Sequence, residues 1–215
     1  MEKSLVFLKP DAVLRKGIGA AILQKFLNNE NFMVLAFKEV IVNEDLAQKH
    51  YQEHKGKNFY PWLVKSIRAT PVLAMIVQGE IQKVRDFLGA TFVQKANSNT
   101  IRGQFGIWGG VNSVHASDSV ETGFRELNLW RKLANLQEDL DTNDKMQAYI
   151  QEWIKYSKTN NTLKLRDLCK DLAEKKITQD QIHKKLVLLL KEDCPLADSE
   201  TIRKFATIII ENILL

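Results

Sequence analysis

The spacing of apolar residues divides the 215-residue chain into two parts with different predicted secondary structure. In the first part, short apolar runs alternate with segments whose apolar residues recur at helical spacing. The runs predict four strands, at Lys3–Lys9, Phe32–Val42, Pro71–Val77 and Phe105–Trp108. The third run is apolar throughout, which is typical of a strand at the centre of a sheet.

The segments between these strands predict helices. Their bounds are Ala20–Asn28, Glu44–His54, Phe59–Ala69, Ile81–Leu88 and Asp118–Leu133. Asn43 directly precedes the second segment, and asparagine is a favourable N-cap residue. The order of strands and helices fits an α/β fold of the α+β sandwich type. We expect a ferredoxin-like split βαβ arrangement, with a four-stranded antiparallel sheet and helices on one face.

Beyond Leu133 every periodic segment predicts a helix. The candidate helices are Asp144–Tyr156, Thr162–Lys175, Thr178–Leu190 and Asp198–Leu214. The predicted strands have ended and a polar stretch intervenes, so we expect two domains, 1–134 and 135–215. The second is an all-helical segment that could form a small bundle, or pack on the first domain or on a neighbouring subunit. The apolar run Ile208–Leu215 favours an oligomerisation or partner interface.

Composition places the chain among folded proteins without a membrane span. Apolar residues make up 45% and charged residues 27% of the sequence, which is enough to build a core. The sequence contains no run of 18 apolar residues and no secretory signal pattern, so we expect a cytoplasmic protein that does not enter membranes. Cys169 and Cys194 lack metal-binding spacing and are expected to be reduced thiols.

The net charge of +5 is unevenly distributed. Residues 1–134 carry 18 Lys or Arg and 12 Asp or Glu, whereas residues 135–215 carry 13 and 14. The basic excess of the first part could favour an anionic ligand such as a polyphosphate, or could serve solubility alone. No basic block is interleaved with aromatic residues, so nucleic acid is not an expected partner.

A single histidine lies within an unusual polar stretch, Asn112–Ser119. His115 has an amide before it and short hydroxyl and carboxylate side chains after it, and Glu126 follows. A nucleophilic histidine needs a neutral ring and neighbours that determine which nitrogen is free. The same stretch is also typical of a helix N-cap, with Ser117 or Asp118 bonding to free backbone N–H groups. Both interpretations remain open at this point.

Further polar residues come at the ends of the predicted elements. Lys9 ends the first strand, and Arg85 and Thr91 flank the end of a helix. Arg102 closes the long Gly89–Gly103 loop. Cations and hydroxyl or amide donors neutralise phosphate oxygens, while a histidine can attack the terminal phosphorus. Together these residues suit a triphosphate ligand, although each alone is more typical of a solvated surface side chain.

In this order the residues resemble the nucleoside diphosphate kinase family over about residues 1–133. The matching segments are Leu8-Lys9-Pro10-Asp11, His50-Tyr51, Phe59, Pro71-Val72, Thr100-Ile101-Arg102-Gly103, Asn112-x-x-His115-x-Ser117-Asp118-Ser119, Glu126 and Leu129-Trp130. The combination of the histidine motif with the upstream Thr-Ile-Arg-Gly is specific, whereas Lys-Pro-Asp alone is weak. No family is recognised for residues 135–215.

The resemblance implies an enzyme that transfers the γ-phosphate of a nucleoside triphosphate to a nucleoside diphosphate. The implied mechanism is ping-pong, with phosphohistidine at His115. The implied catalytic residues are His115, Glu126, Ser117, Lys9 and Tyr51. The implied nucleotide-binding residues are Lys9, Phe59, Arg85, Thr91, Arg102 and Asn112. The implied cofactor is Mg²⁺, with Asp118 contacting it through water.

The resemblance also implies a homo-oligomer, either a hexamer, a tetramer or a dimer. Three departures from the family pattern stand out. Gly109 replaces a valine that usually helps to sandwich the base, Val111 replaces an arginine, and the loop at Ser98-Asn99 lacks the usual Pro-Gly. The loop packs between subunits in the family's hexamers, so its change affects the expected assembly more than the chemistry.

A non-catalytic module of the same fold is the alternative. Such a module would bind a nucleotide or a protein partner, with the helical extension as a scaffold. A degenerate module is expected to have lost at least one residue of the implied site. None is missing here, so the sequence favours the working enzyme. A protein partner for residues 135–215 remains a possible additional role.

Overall fold

The computed structural model describes all 215 residues and contains one four-stranded antiparallel sheet. The strands are β1 (Lys3–Leu8), β2 (Met33–Val40), β3 (Val72–Gln78) and β4 (Val114–Ala116). Their order in the sheet is β2-β3-β1-β4, the order of the ferredoxin-like split βαβ fold. The predicted fold class is therefore confirmed, as is the central position of the apolar third strand.

Eleven α-helices accompany the sheet. They are α1 (Pro10–Leu14), α2 (Lys16–Leu27), α3 (Glu44–His50), α4 (Tyr60–Ile67), α5 (Ile81–Leu88), α6 (Ile101–Phe105), α7 (Val120–Ala134), α8 (Thr142–Trp153), α9 (Thr162–Ala173), α10 (Gln179–Asp193) and α11 (Ser199–Leu214). The all-helical C-terminal segment is confirmed. The short helix α1 was not predicted, and it separates Lys9 from α2.

Helices cover both faces of the sheet, so the expectation of helices on one face is wrong. Successive strand residues point to opposite faces. Leu5 and Phe7 of β1 pack with residues of α3, α4 and α7, whereas Val6 and Leu8 pack with residues of α2, α5, α6 and α8. The strand β1 is thus buried on both sides, and its apolar residues form the centre of two cores.

The fourth strand lies further along the chain than predicted. Phe105 ends α6, which begins after Thr100, and the Thr100 side chain accepts a hydrogen bond from the Gly103 N–H. The short strand β4 pairs with β1, and His115 lies opposite Phe7. In the predicted strand, Phe105 lies at the end of α6 and Ile107 lies in the loop that follows. Both are buried, and apolar spacing alone does not distinguish such residues from those of a strand. As a result, His115 belongs to the sheet rather than to a loop after it.

The helix that follows the histidine, α7, begins at Val120, and its N-cap is Ser119 rather than Ser117 or Asp118. The Ser119 side chain accepts a hydrogen bond from the Thr122 N–H and is the N-cap of α7. Ser117 is fully buried, and its hydroxyl donates to Glu126 instead of capping the helix. The cap and the polar site therefore use different residues of the same stretch.

The C-terminal helices pack against the first part of the chain in two places. Met146 and Ile150 of α8 belong to the apolar core beneath the sheet. The helices α9, α10 and α11 surround a separate core that continues into Trp62 and Ile107. The run Ile208–Ile210 is buried in that core, so it needs no second subunit to cover it. No helix of the chain has both the length and the apolar character required to cross a bilayer.

A buried ion pair joins the two parts. The Arg15 guanidinium lies 3.5 Å from the Asp193 carboxylate, and both side chains have no exposed surface. Arg15 also donates hydrogen bonds to Thr162 Oγ1 and to the Phe105 carbonyl, at 2.8 and 2.6 Å. The Asn161 N–H donates to Asp193 at 3.0 Å. All these groups are removed from water, so each depends on the others for its hydrogen bonds.

Candidate active site

His115 lies on β4 with its ring between two aromatic neighbours. The Phe7 ring is stacked on it, with centroids 4.7 Å apart and planes 19° apart. The His50 ring meets it edge-on, also at 4.7 Å. The His115 side chain nevertheless keeps 22% of its surface exposed, so the C-terminal helices leave it open to solvent.

One nitrogen of the His115 ring is held by a carboxylate. His115 Nε2 lies 3.0 Å from Glu126 Oε2, and the Ser117 hydroxyl donates to the same oxygen at 2.7 Å. Burial raises the pKa of Glu126, but the His115 ring and the Ser117 hydroxyl lower that pKa by more, so the carboxyl is ionised. An ionised carboxylate only accepts hydrogen bonds, so Nε2 carries the proton. In the neutral ring the lone pair is then on Nδ1.

Lys9 is buried at the end of β1, beside the loop that precedes β4. Its Nζ donates to the Gly110 carbonyl at 2.6 Å and to Asn112 Oδ1 at 3.0 Å. The amide nitrogen of Asn112 donates in turn to the Thr91 carbonyl at 2.7 Å. Burial lowers the pKa of Lys9 to about 8, although Asp11 opposes this effect. Three of the predicted residues are thus connected by hydrogen bonds.

Arg102 lies close behind β4 and is almost fully buried. Its guanidinium donates to the Gly89 carbonyl at 2.7 Å and to the Val114 carbonyl at 3.0 Å, while its buried Nε has no partner. Burial and the neighbouring Arg85 lower the pKa of Arg102 to about 10. Two arginines therefore converge around Gly89.

An open cavity of about 450 Å³ lies on the side of Gly89 where Arg85 and Thr91 are found. Almost all its lining residues are polar. They are Gln82, Arg85, Asp86, Gly89, Ala90, Thr91, Lys95, Asn97, Asn99 and Thr100. A cavity with two cations and many hydrogen-bond donors favours an anionic, hydrogen-bonding ligand.

The remaining predicted residues lie around this centre. Tyr51 is buried and meets the His50 ring edge-on at 4.6 Å, and burial raises the pKa of its hydroxyl above the ordinary value. Phe59, which directly precedes α4, is 39% exposed. Asp118 is exposed just before the N-cap of α7 and makes no hydrogen bond or ion pair within the chain.

The sequence interpretation missed His50 as part of the site. Burial lowers the pKa of His50 to about 3, so its ring is neutral, and its Nδ1 lies 3.7 Å from Glu126 Oε1. Potential metal-binding atoms of His50, His115 and Glu126 lie within 4.8 Å of one another, but His115 and Glu126 already share a hydrogen bond. The sequence signal for His50 was the matching segment His50-Tyr51, to which the resemblance gave a role for Tyr51 alone.

The fold and the site together define an α/β protein of the ferredoxin-like type, in which a histidine on the edge strand β4 has one free ring nitrogen. Residues 2–136 match the family model described as "Nucleoside diphosphate kinase", and the region beyond is unmatched. The chain therefore belongs to the nucleoside diphosphate kinase family. It is a phosphotransferase of the nucleoside-diphosphate kinase class, as the resemblance predicted.

Relatives and solved structures agree with this family. The chain is 45% identical to the nucleoside diphosphate kinase of Clostridium perfringens (strain SM101 / Type A) over 132 residues, which cover 60% of this chain and 91% of the relative. The enzyme of Bacillus licheniformis is 41% identical over 156 residues, covering 72% and 99%. The Halobacterium salinarum enzyme, solved in complex with CDP, is 33% identical with a TM-score of 0.59, covering 67% and 97%.

Proposed function

We propose that the protein transfers the γ-phosphate of a nucleoside triphosphate to a nucleoside diphosphate by a ping-pong mechanism through phosphohistidine at His115. The observation that carries this proposal is the hydrogen bond between His115 Nε2 and Glu126, which leaves the lone pair on Nδ1. A histidine nucleophile requires an accessible ring nitrogen that is not protonated, and Nδ1 meets this requirement.

The two half-reactions use the same atoms in opposite directions. Nδ1 forms a bond to the γ-phosphorus, the bond from that phosphorus to the β,γ-bridging oxygen breaks, and the nucleoside diphosphate leaves. A terminal phosphate oxygen of a second nucleoside diphosphate then attacks the same phosphorus, and the P–N bond breaks. The ring gains positive charge while it carries phosphate, and the Glu126 carboxylate stabilises that charge through Nε2. Ser117 holds the carboxylate in position.

The remaining residues would bind the nucleotide. Arg85 and Thr91, which line the polar cavity beside Gly89, would hold the phosphates. Arg102, which bonds to the Gly89 carbonyl, would assist them. Lys9 and Asn112 would bond to the ribose hydroxyls, and Lys9 would also reach phosphate.

Tyr51 and Phe59 would complete the site around the nucleotide. The raised pKa of Tyr51 keeps its hydroxyl protonated, so it can donate near the transferred group. The half-exposed Phe59 would stack on the base, a contact that tolerates different bases.

Mg²⁺ fits the residues of this site. Magnesium in nucleotide enzymes is usually held by substrate phosphates, waters and one or two carboxylates. Asp118 is exposed and forms no internal bond, so its carboxylate is free to contact a hydrated ion. When bound, the ion would neutralise phosphate oxygens.

The proposal extends to the ligands, the assembly and the location of the protein. Nucleoside triphosphates and diphosphates are the expected ligands, and the CDP complex of the Halobacterium salinarum relative supports them.

The edge strand β2, with Met33 59% exposed, supports a homo-oligomer, whether hexamer, tetramer or dimer. The free thiols of Cys169 and Cys194 support a cytoplasmic location. A protein partner for the exposed end of α11, at Leu214, is a further hypothesis.

A two-step chase tests the proposed mechanism. The protein is mixed with γ-labelled ATP without any acceptor, freed of nucleotide, and then given unlabelled CDP. We expect label on the protein after the first step, and its transfer to CTP after the second. Transfer to CTP only when ATP and CDP are present together would contradict the ping-pong order. No transfer at all would favour the non-catalytic alternative.

The buried Lys9 predicts a specific pH dependence. Lysine is cationic below its pKa, so raising the pH through about 8 removes the charge that would bind phosphate. The profile of kcat/KM reports the free enzyme, and we expect kcat/KM to fall by about tenfold between pH 7 and pH 9. The measurement is kcat/KM for a nucleoside diphosphate across this range. In Lys9→Met this descending limb should be absent, and its persistence there would assign it to another group.

A further inference from the structure

The C-terminal helices contact the loop that leads to the catalytic strand. Arg166 of α9 donates to the carbonyls of Arg102 and Gly106, at 3.0 and 2.8 Å. Asn212, near the end of α11, accepts a hydrogen bond from the Gly110 N–H at 3.0 Å through its Oδ1. These bonds link the unmatched C-terminal region to the segment that carries Arg102 and Asn112.

Asn212 occupies the space beside Gly109. A Cβ atom at position 109 would lie only 2.6 Å from Asn212 Oδ1, and Gly109 has φ of +47°, a left-handed conformation that favours glycine. The Asn212 amide is therefore closely fitted to the turn formed by Gly109 and Gly110. A side chain at position 109 would displace it.

The end of α11 is fixed on the first part of the chain by a buried hydrogen bond. The Trp62 indole N–H donates to the Ile208 carbonyl at 3.0 Å. Lys65 also pairs with Glu211, but both side chains are exposed, so this pair contributes little to the position of α11. Trp62 lies on α4, so α11 is anchored on the helix that follows the proposed base-binding residue Phe59. Asn212 thus acts from a rigid element rather than from a free chain end.

The turn connects Asn212 to Lys9. The Gly110 N–H donates to Asn212 Oδ1, and the Gly110 carbonyl accepts a hydrogen bond from Lys9 Nζ at 2.6 Å. A buried ammonium group is stable only when its hydrogen bonds are satisfied, so the position of this carbonyl determines where the Lys9 charge lies. The other acceptor of Lys9 is Asn112, two residues further along the same loop.

We propose that Asn212 is a positioning residue of the nucleotide site, which holds the Gly110 turn and through it places the Lys9 ammonium for the nucleotide phosphates. The proposal rests on the proposed role of Lys9 in nucleotide binding. It assigns the C-terminal helices a part in substrate affinity, beyond any part in assembly. Asn212 itself does not touch the reacting atoms.

The test is the affinity of the full-length protein for ADP, measured by titration calorimetry and as KM. In Asn212→Ala we expect the dissociation constant and KM to rise about five- to tenfold, the effect of losing one hydrogen bond. We expect kcat to change less than twofold, because His115 and Glu126 are untouched. The matched control is Glu211→Ala. This change removes the neighbouring contact of α11 with Lys65 of α4 but no contact with Gly110, so ADP affinity should be unchanged.

A double-mutant cycle separates action through Lys9 from general loosening. In a Lys9→Met background, Asn212→Ala should weaken ADP binding no further. Additive losses, an equal loss in Glu211→Ala, or an unchanged affinity in Asn212→Ala would each overturn the proposal. Since ADP binding is measured without turnover, these results are independent of the chase experiment, which tests the phosphohistidine mechanism alone.

Discussion

His115→Ala is expected to reduce kcat by at least about 10⁴-fold and to abolish labelling of the protein by γ-labelled ATP. The phosphate would be bound to the Nδ1 lone pair, and alanine offers no atom that can replace it. Phosphohistidine is labile in acid and stable in base, so the wild-type label should disappear after acid treatment and survive base. The measurement is protein-bound label after each treatment, together with steady-state kcat.

The matched control for this experiment is His183→Ala. His183 is partly exposed on α10, within the C-terminal helices. It should keep both labelling and turnover. Label that persists in His115→Ala with the same acid lability would show that another histidine carries the phosphate, and His50 would then be the next candidate to replace.

Asp193→Ala is expected to have the largest effect on stability, lowering the free energy of unfolding by about 3 to 5 kcal/mol. The substitution leaves the Arg15 guanidinium buried without its counter-ion and the Asn161 N–H without its acceptor. Removing one partner of a buried pair costs far more than the pair itself contributes, because the remaining charge stays out of water. Denaturant unfolding followed by circular dichroism measures this loss.

Glu200→Ala provides the comparison for an exposed pair. Glu200 pairs with Lys204 on the solvent side of α11, and both side chains are about 70% exposed. Water and salt screen an exposed pair, so this variant should unfold almost as the wild type does. Equal losses in Asp193→Ala and Glu200→Ala would contradict the structural role of the Arg15–Asp193 contact.

Most elements of the sheet could be predicted because each carries its own local pattern. The apolar run from Pro71 to Val77 indicates a central strand, since both of its faces must be buried. The fourth strand could not be predicted in this way. The segment Val114–Ala116 is only three residues long, and what makes it a strand is its pairing with β1. The second covered face of the sheet likewise depends on which helices pack there.

The site was predictable to a different degree for each residue. His115, Ser117 and Glu126 come from one compact stretch, and the structure brings them into hydrogen-bonding contact. His50 was missed because its role depends on burial against rings from other elements. Asn212 carries no sequence signal at all, since a single asparagine near a helix end is common.

The sequence by itself determined the alternation of strands and helices, the family resemblance and the residue types around His115. These follow from local spacing and side-chain chemistry. Only the tertiary structure decided which nitrogen of His115 is free, that Lys9 is buried, and that α11 contacts the Gly110 turn. The physical reason is that burial and hydrogen bonding join residues that are far apart in the chain. Asn212 and Gly110, for example, are 102 positions apart, and no local pattern encodes their contact.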